Sequence, residues 1–135
     1  MIPDGDGLPR IGSTGRTLGT RLGFPNGGAK PDILVSPAGI LYPGSGGMSV
    51  GMPQTDNLPP HRRPRRCGGT DKKIELYVLE TEDLPDELQA RIDPYNSERH
   101  AFLEPARAMS FEDYQQALHA TRTLRRRVRY WVRGK

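Results

Sequence analysis

Cysteine is nearly missing from this chain, and so is any long apolar run. A single cysteine among 135 residues, Cys67, excludes an internal disulfide, and nothing in the sequence asks for an oxidising compartment. Together with three scattered histidines, His61, His100 and His119, it makes no zinc-ligand spacing, and no metal site is expected. No apolar stretch approaches the ~20 residues that a bilayer crossing needs, which argues against membrane insertion. The opening residues, MIPDGDGLPR, lack a basic stretch followed by an apolar one. A cleaved secretory leader is therefore not expected, and any export would take a route that needs none. Apolar residues make up 34% of the chain and aromatics 7%, so the core is small for the length. One domain over residues 1–135 fits this composition and two do not.

What the chain does hold is glycine (16) and proline (13), without a regular period. These cut it into short strands and turns. Residues 1–7 read as a loose lead-in. Leu8–Ile11 reads as a short first strand, confined to an edge or a strand start because Pro9 cannot donate to a ladder. Residues 12–31 follow neither a strand nor a helix period and read as loop with at most one helical turn. Ile33-Leu34-Val35 and Gly39–Tyr42, joined by Ser36-Pro37-Ala38, suit a pair of short hairpin strands. Gly44, Gly46 and Gly47 then permit a bend closed to other residues, and the bend delivers Ser49.

Residues 51–72 form a long basic Pro/Gly loop containing HRRPRRCGG, expected to be the least ordered piece. Ile74–Leu79 is the clearest strand, apolar and aromatic between charges. A turn at Asp83–Asp86 precedes an extended Leu88–Ile92, and His100–Leu103 is a further strand, ended by Pro105. Phe111, Tyr114, Leu118, Thr121, Leu124, Val128 and Trp131 fall three or four apart and predict one helical stripe. Ser110 suits its N-cap, with Asp113 three residues on. The fold class is α+β: short strands with a C-terminal helix laid on a sheet.

Several short segments follow one another in a telling order. Leu8-Pro9-Arg10 comes first, then Asp32-Ile33 and Gly39-Ile40-Leu41-Tyr42, then Gly46-Gly47-Met48-Ser49. After the basic loop come Leu84-Pro85-Asp86-Glu87-Leu88, Asp93-Pro94-Tyr95-Asn96, His100-Ala101-Phe102-Leu103-Glu104-Pro105 and Met109. This series resembles the toxin family of type six secretion exported effector two, whose bacterial and fungal members share an ADP-ribosyltransferase-like fold. The likeness covers residues 31–50 and 84–131 well and 8–11 thinly, and it skips 51–72. Pro9 stands where the family has an aromatic, and Met48 where a hydroxyl residue can occur.

The resemblance implies a single toxin domain that uses NAD as its substrate, as an ADP-ribosyltransferase or an NAD glycohydrolase. It also implies a type VI secretion effector, carried by secretion machinery into a recipient cytosol and silenced in its producer by an immunity protein. Such chemistry needs the pyrophosphate neutralised, the nicotinamide held, the oxocarbenium charge stabilised and the nucleophile steered. On the family order Arg10 would grip the phosphates or ribose with its planar fork. Ser49 would orient a carboxylate or ribose hydroxyl, and Gly46 and Gly47 would let NAD approach the backbone. Glu104 would stabilise the positive anomeric carbon, and His100 would assist. Tyr42 and Tyr95 would stack on a ring of the dinucleotide, with Asn96 beside them.

Each of these residues also has a bland reading: a solvated arginine, a flexible glycine turn, a surface glutamate, packed tyrosines. The net charge of +4 adds a rival. Arg62, Arg63, Arg65 and Arg66, with Arg122, Arg125, Arg126, Arg127, Arg129 and Arg133, make basic clusters that suit nucleic acid or an RNA-cleaving toxin. The aromatic interleaving that single strands prefer is largely absent. An acidic immunity protein docking on this field is the favoured partner, and a non-catalytic secretion adaptor is the remaining alternative. No histidine is placed beside Cys67, so a cysteine nucleophile is not expected.

Overall fold

The computed structural model describes residues 1–12, 16–20, 33–52, 57–70 and 72–128. Asp32, most of the Gly/Thr-rich stretch, residues 53–56, Arg129, Trp131 and Arg133 lie outside the described residues. The centre of the molecule is a three-stranded antiparallel sheet. Its middle strand is β5 (His100–Pro105), flanked by β2 (Met48–Gly51) and β4 (Leu88–Ile92). Two small ladders lie around it. One pairs β1 (Ile40–Leu41) with β6 (Met109–Ser110), and the other pairs β3 (Leu76–Val78) with β7 (Arg126–Val128).

Strand alternation sorts the central sheet into two faces. Ala101, Leu103 and Pro105 of β5 point into the core, with Leu88 and Met48 beside them. Against this inner face packs the helix α1 (Phe111–Ala120), through Tyr114, Ala117 and Leu118. Ser110 caps it as its spacing predicts, accepting a hydrogen bond from the Asp113 N–H at 3.1 Å. Tyr114 fixes the helix to the sheet. Its hydroxyl accepts from the Met48 N–H at 2.9 Å and donates to the Leu103 carbonyl. Glycine at position 47 is required here, since a Cβ would collide with that same Leu103 carbonyl.

Four expectations change. The helix stops at Ala120 instead of running toward Trp131; a 3-10 turn at Arg122–Leu124 and then β7 follow it. The reason is tertiary: β3 needs a partner, and Val128, Arg127 and Arg126 supply it opposite Leu76, Tyr77 and Val78. Ile33–Val35 and Gly39–Tyr42 do not form a ladder with each other. Ile33 bridges Gly46, while Ile40–Leu41 pairs with β6. Leu8–Ile11 is no strand but two isolated bridges, Pro3 to Pro9 and Ile11 to Leu18. The lead-in is not loose. The Met1 ammonium donates to the Glu75 carbonyl at 2.7 Å, and Tyr77 donates its hydroxyl proton to the Gly7 carbonyl at 2.9 Å.

The described part of the basic loop is folded on itself, with two 3-10 turns (Pro60–Arg62 and Arg65–Cys67) and Arg63 Nε donating to the Leu58 carbonyl at 2.6 Å. Among the described residues no helix is long and apolar enough to cross a membrane.

Candidate active site

The outer face of the central sheet carries the polar side chains. Along β5 the alternation that buries Ala101 and Leu103 turns His100, Phe102 and Glu104 the other way. On β4 the same face receives Gln89 and Arg91, opposite Glu104 and Phe102. On β2 it receives Ser49, opposite Phe102. Ser49 is thus the diagonal neighbour of both His100 and Glu104, and diagonal positions in an antiparallel pair lie roughly 7–8 Å apart. Residues 51 positions apart and more in the chain share one face of the sheet.

Glu104 is the best-held group on that face. Its exposure is 1%, yet its carboxylate meets three donors. Oε2 accepts from the Gly44 N–H at 2.8 Å and from Arg91 Nε at 2.8 Å, and Oε1 accepts from Gln89 Nε2 at 2.8 Å. Burial by itself would raise the carboxyl's pKa. The Arg91 hydrogen bond, the Gly44 N–H, the Gln89 amide and the Arg91 charge together outweigh it and hold Glu104 below its ordinary value. The group is therefore an anion near neutral pH. A carboxylate offers about four acceptor directions, so three donors leave one on Oε1 for a fourth partner. Gly44 reaches Oε2 from a backbone with φ 91°, a conformation that costs other residues.

Arg91 also lies over the Phe102 ring, 5.0 Å from guanidinium carbon to centroid. His100 meets the same ring edge-on, with centroids 4.6 Å apart. Phe102 is thus the platform that spaces the cation from the imidazole. His100 is in turn held by Asp93, Nδ1 to Oδ2 at 2.8 Å. Asp93 lies below its ordinary pKa because of this hydrogen bond and that of the Tyr95 N–H.

The other sequence-chosen residues lie apart from this network. Arg10 is exposed, its Nε 4.0 Å from Asp4, on the N-terminal segment that Arg122 ties down through the Pro9 carbonyl. Among the described residues no hydrogen bond or ion pair joins Arg10 to Glu104, Ser49 or His100. Tyr42 is half exposed, and Tyr95 is 97% exposed at the tip of the β4–β5 turn. Asn96 makes that turn, its carbonyl accepting from the Arg99 and His100 N–H groups. At Gly47 the close approach is made by the chain itself, through Leu103. Gly46 bridges Ile33, φ 104°.

Sequence reasoning missed Gln89, Arg91 and Gly44 as holders of Glu104, and Asp93 as the partner of His100. The alternation Leu88, Gln89, Ala90, Arg91, Ile92 was the available signal, since it puts Gln89 and Arg91 on one polar face. The register that sets them against Glu104 was not in the local pattern.

The two arginine clusters converge, but largely on internal duties. Arg66 Nη2 donates to Glu75 Oε2 at 2.7 Å and Arg127 Nη2 meets Glu75 Oε1 at 3.1 Å. Arg122 pairs with Asp6 at 2.7 Å. Arg125 is 5% exposed, bonded to the Thr121 hydroxyl and near the Met48 sulfur, with its pKa lowered to about 10 by burial.

Among curated proteins none matches the sequence. A family model does, over residues 1–128, and it describes the Tse2 ADP-ribosyltransferase toxin. With that match spanning nearly the whole chain, and an α+β body whose described residues form small antiparallel sheets with one α-helix packed on them, the chain belongs to the Tse2 ADP-ribosyltransferase toxin family.

Proposed function

We propose that this chain is an NAD-consuming toxin whose working surface is the outer face of the β2–β5–β4 sheet. One observation carries the reading: a carboxylate kept ionised in a nearly dry setting, on the same face as a serine hydroxyl and a histidine. Breaking the bond between nicotinamide and ribose builds positive charge on the anomeric carbon. A fixed anion stabilises that charge most where water is excluded and no reorganisation is needed. Glu104 meets both conditions. Its open acceptor direction would take the ribose 2′-hydroxyl, and Ser49, diagonal to it, would orient the same sugar. Phe102 and His100 offer ring surface beside them. Arg10, exposed on the N-terminal segment, would reach the pyrophosphate from outside the sheet.

Family membership supports transfer of ADP-ribose, with NAD as donor. Delivery by a type VI apparatus, action in the recipient cytosol and neutralisation by an acidic immunity protein belong to the same proposal. The exposed Arg65 and Arg126 flank the Glu75 junction and would meet such an antagonist. The nucleic-acid reading is weaker, because Arg63, Arg66, Arg122, Arg125 and Arg127 are engaged within the protein.

The test is induced expression in a bacterial host with cytosolic NAD followed over time, for wild type, Glu104→Gln and Ser49→Ala. Wild type should deplete NAD and stop growth, while both variants, confirmed folded and equally abundant, should be tolerated. Undiminished toxicity in both would remove the site.

A further inference from the structure

Three carboxylate or imidazole groups stand near the outer face of the central sheet or its edge, and their bonding differs in a way that assigns labour. Glu104 is held by three donors and almost fully buried. It can hold charge still, but it is badly placed to collect a proton. Two positions before it on the same face stands Phe102, which has no proton chemistry at all. His100, two further back, is 26% exposed at its side chain and carries its own carboxylate partner. Asp93 is itself fixed: Oδ1 accepts from the Tyr95 N–H at 2.9 Å, while Oδ2 takes the His100 Nδ1 at 2.8 Å. The main chain closes the same turn, with the Asp93 N–H donating to the His100 carbonyl at 3.1 Å.

We infer that Asp93 and His100 form a proton-accepting dyad for the nucleophile, with Asp93 as positioning residue, and that the acceptor is an O–H group rather than a guanidine. This rests on the NAD site proposed above. An ionised carboxylate only accepts hydrogen bonds, so the neutral imidazole must place its proton on Nδ1. Nε2 is then left with a lone pair facing away from Asp93. As the nicotinamide leaves with the electron pair of its bond to the anomeric carbon, an oxygen forms the new bond to that carbon. The oxygen's proton passes to Nε2 and afterwards to solvent. With water as nucleophile the products are ADP-ribose, nicotinamide and a proton; with a hydroxyl they are the ADP-ribosylated alcohol, nicotinamide and a proton.

A guanidine acceptor fits poorly. It must lose a proton from a strongly basic cation before it can attack. The carboxylates of this face are already occupied by their own donors, and Arg91 repels a second cation there.

The decisive variant is Asp93→Asn. Its Oδ1 can keep the Tyr95 N–H, so the turn survives, but an NH2 then faces Nδ1 in place of Oδ2. A donor there asks Nδ1 to accept, which moves the ring proton to Nε2. The ¹⁵N ring shifts of His100 should report the Nδ1–H tautomer in the wild-type chain and the Nε2–H tautomer in Asp93→Asn. Nicotinamide release should fall about 100-fold or more in kcat, the low end for a lost general base, with KM for NAD within about 3-fold. Asp93→Glu should recover part of the rate. Supplied agmatine, a small guanidine, should yield no ADP-ribosylated product while ADP-ribose accumulates.

An unchanged tautomer, or an unchanged kcat, would overturn the dyad. Preferential modification of agmatine would overturn the acceptor assignment. Absence of turnover by wild type would remove the NAD site itself, and the ring shifts would still decide the dyad independently.

Discussion

Glu104 and Glu75 are built alike and placed differently. Each is a partly or fully buried glutamate gripped by arginine, Glu104 on β5 by Arg91, and Glu75, just before β3, by Arg66 and Arg127. Each is held below its ordinary pKa by the hydrogen bonds it accepts, Glu104 against the opposing effect of burial and Glu75 chiefly by Arg66. Around Glu75 the cations come from the basic loop and from β7, and the Met1 ammonium bonds to its carbonyl. That junction ties three distant segments together. Around Glu104 the holders are a strand, an amide and a glycine turn, and the neighbours are Ser49 and His100. The same ion-pair chemistry thus serves assembly at one site and, in the proposed function, catalysis at the other. What separates them is the company on the same face, not the charge.

The largest effect expected from breaking this comparison is on activity. Glu104→Gln keeps the shape and removes the charge, and nicotinamide release should fall roughly 100- to 1000-fold, the scale for removing a preorganised electrostatic stabiliser. Glu75→Gln should leave the rate within about 2-fold while still lowering the melting temperature. Next comes stability. Glu104→Ala leaves Arg91 and the Gly44 N–H without their acceptor and should cost about 3 kcal/mol in denaturant unfolding. Gly44→Ala should cost roughly 1–2 kcal/mol, because its φ of 91° strains a residue with a Cβ, and it should lower activity through Glu104.

A smaller effect is in pH. Both carboxyls have folded pKa values below the ordinary 4.5, so their contribution to stability is complete above that value and is lost as pH falls through the folded pKa. Melting temperatures followed from pH 7 to about pH 3 should drop, and drop less in Glu75→Gln and Glu104→Gln. The smallest effect is expected from Arg125→Met. The buried guanidinium has no carboxylate among its described partners, so replacing it with an apolar chain should leave the melting temperature unchanged or raise it. A clear drop would show that Arg125 meets an anion.

The strands at 76–78, 88–92 and 100–105 were legible in outline: Ile74–Leu79 by its apolar and aromatic composition, Leu88–Ile92 as the stretch after a Pro-Asp turn, and His100–Leu103 by the proline that ends it. The start of α1 was legible from Ser110 and Asp113. Its end was not, because Leu124 and Val128 continue the helical spacing, and the pairing of β7 with β3 is a contact across 50 residues that no window contains. At the site, Ser49, His100 and Glu104 were chosen by their order along the chain, and the register places all three on one face. Their supports were hidden for the same reason as β7. Arg91 reads as a polar strand residue until the register sets Phe102 opposite it and Glu104 on the diagonal, and Asp93 reads as a turn residue until the turn closes on His100. Local pattern names the side chain, and cross-strand register gives it a partner.

The central claim is that an ionised Glu104, on the face it shares with Ser49 and His100, is what makes this protein consume NAD. The most direct measurement is nicotinamide released from NAD by the purified chain, compared side by side with Glu104→Gln and Glu75→Gln at matched folded concentration. The account predicts turnover by the wild type and by Glu75→Gln, and loss of at least about 100-fold in Glu104→Gln. Equal rates for the two glutamate variants, or no release by the wild-type chain, would contradict it.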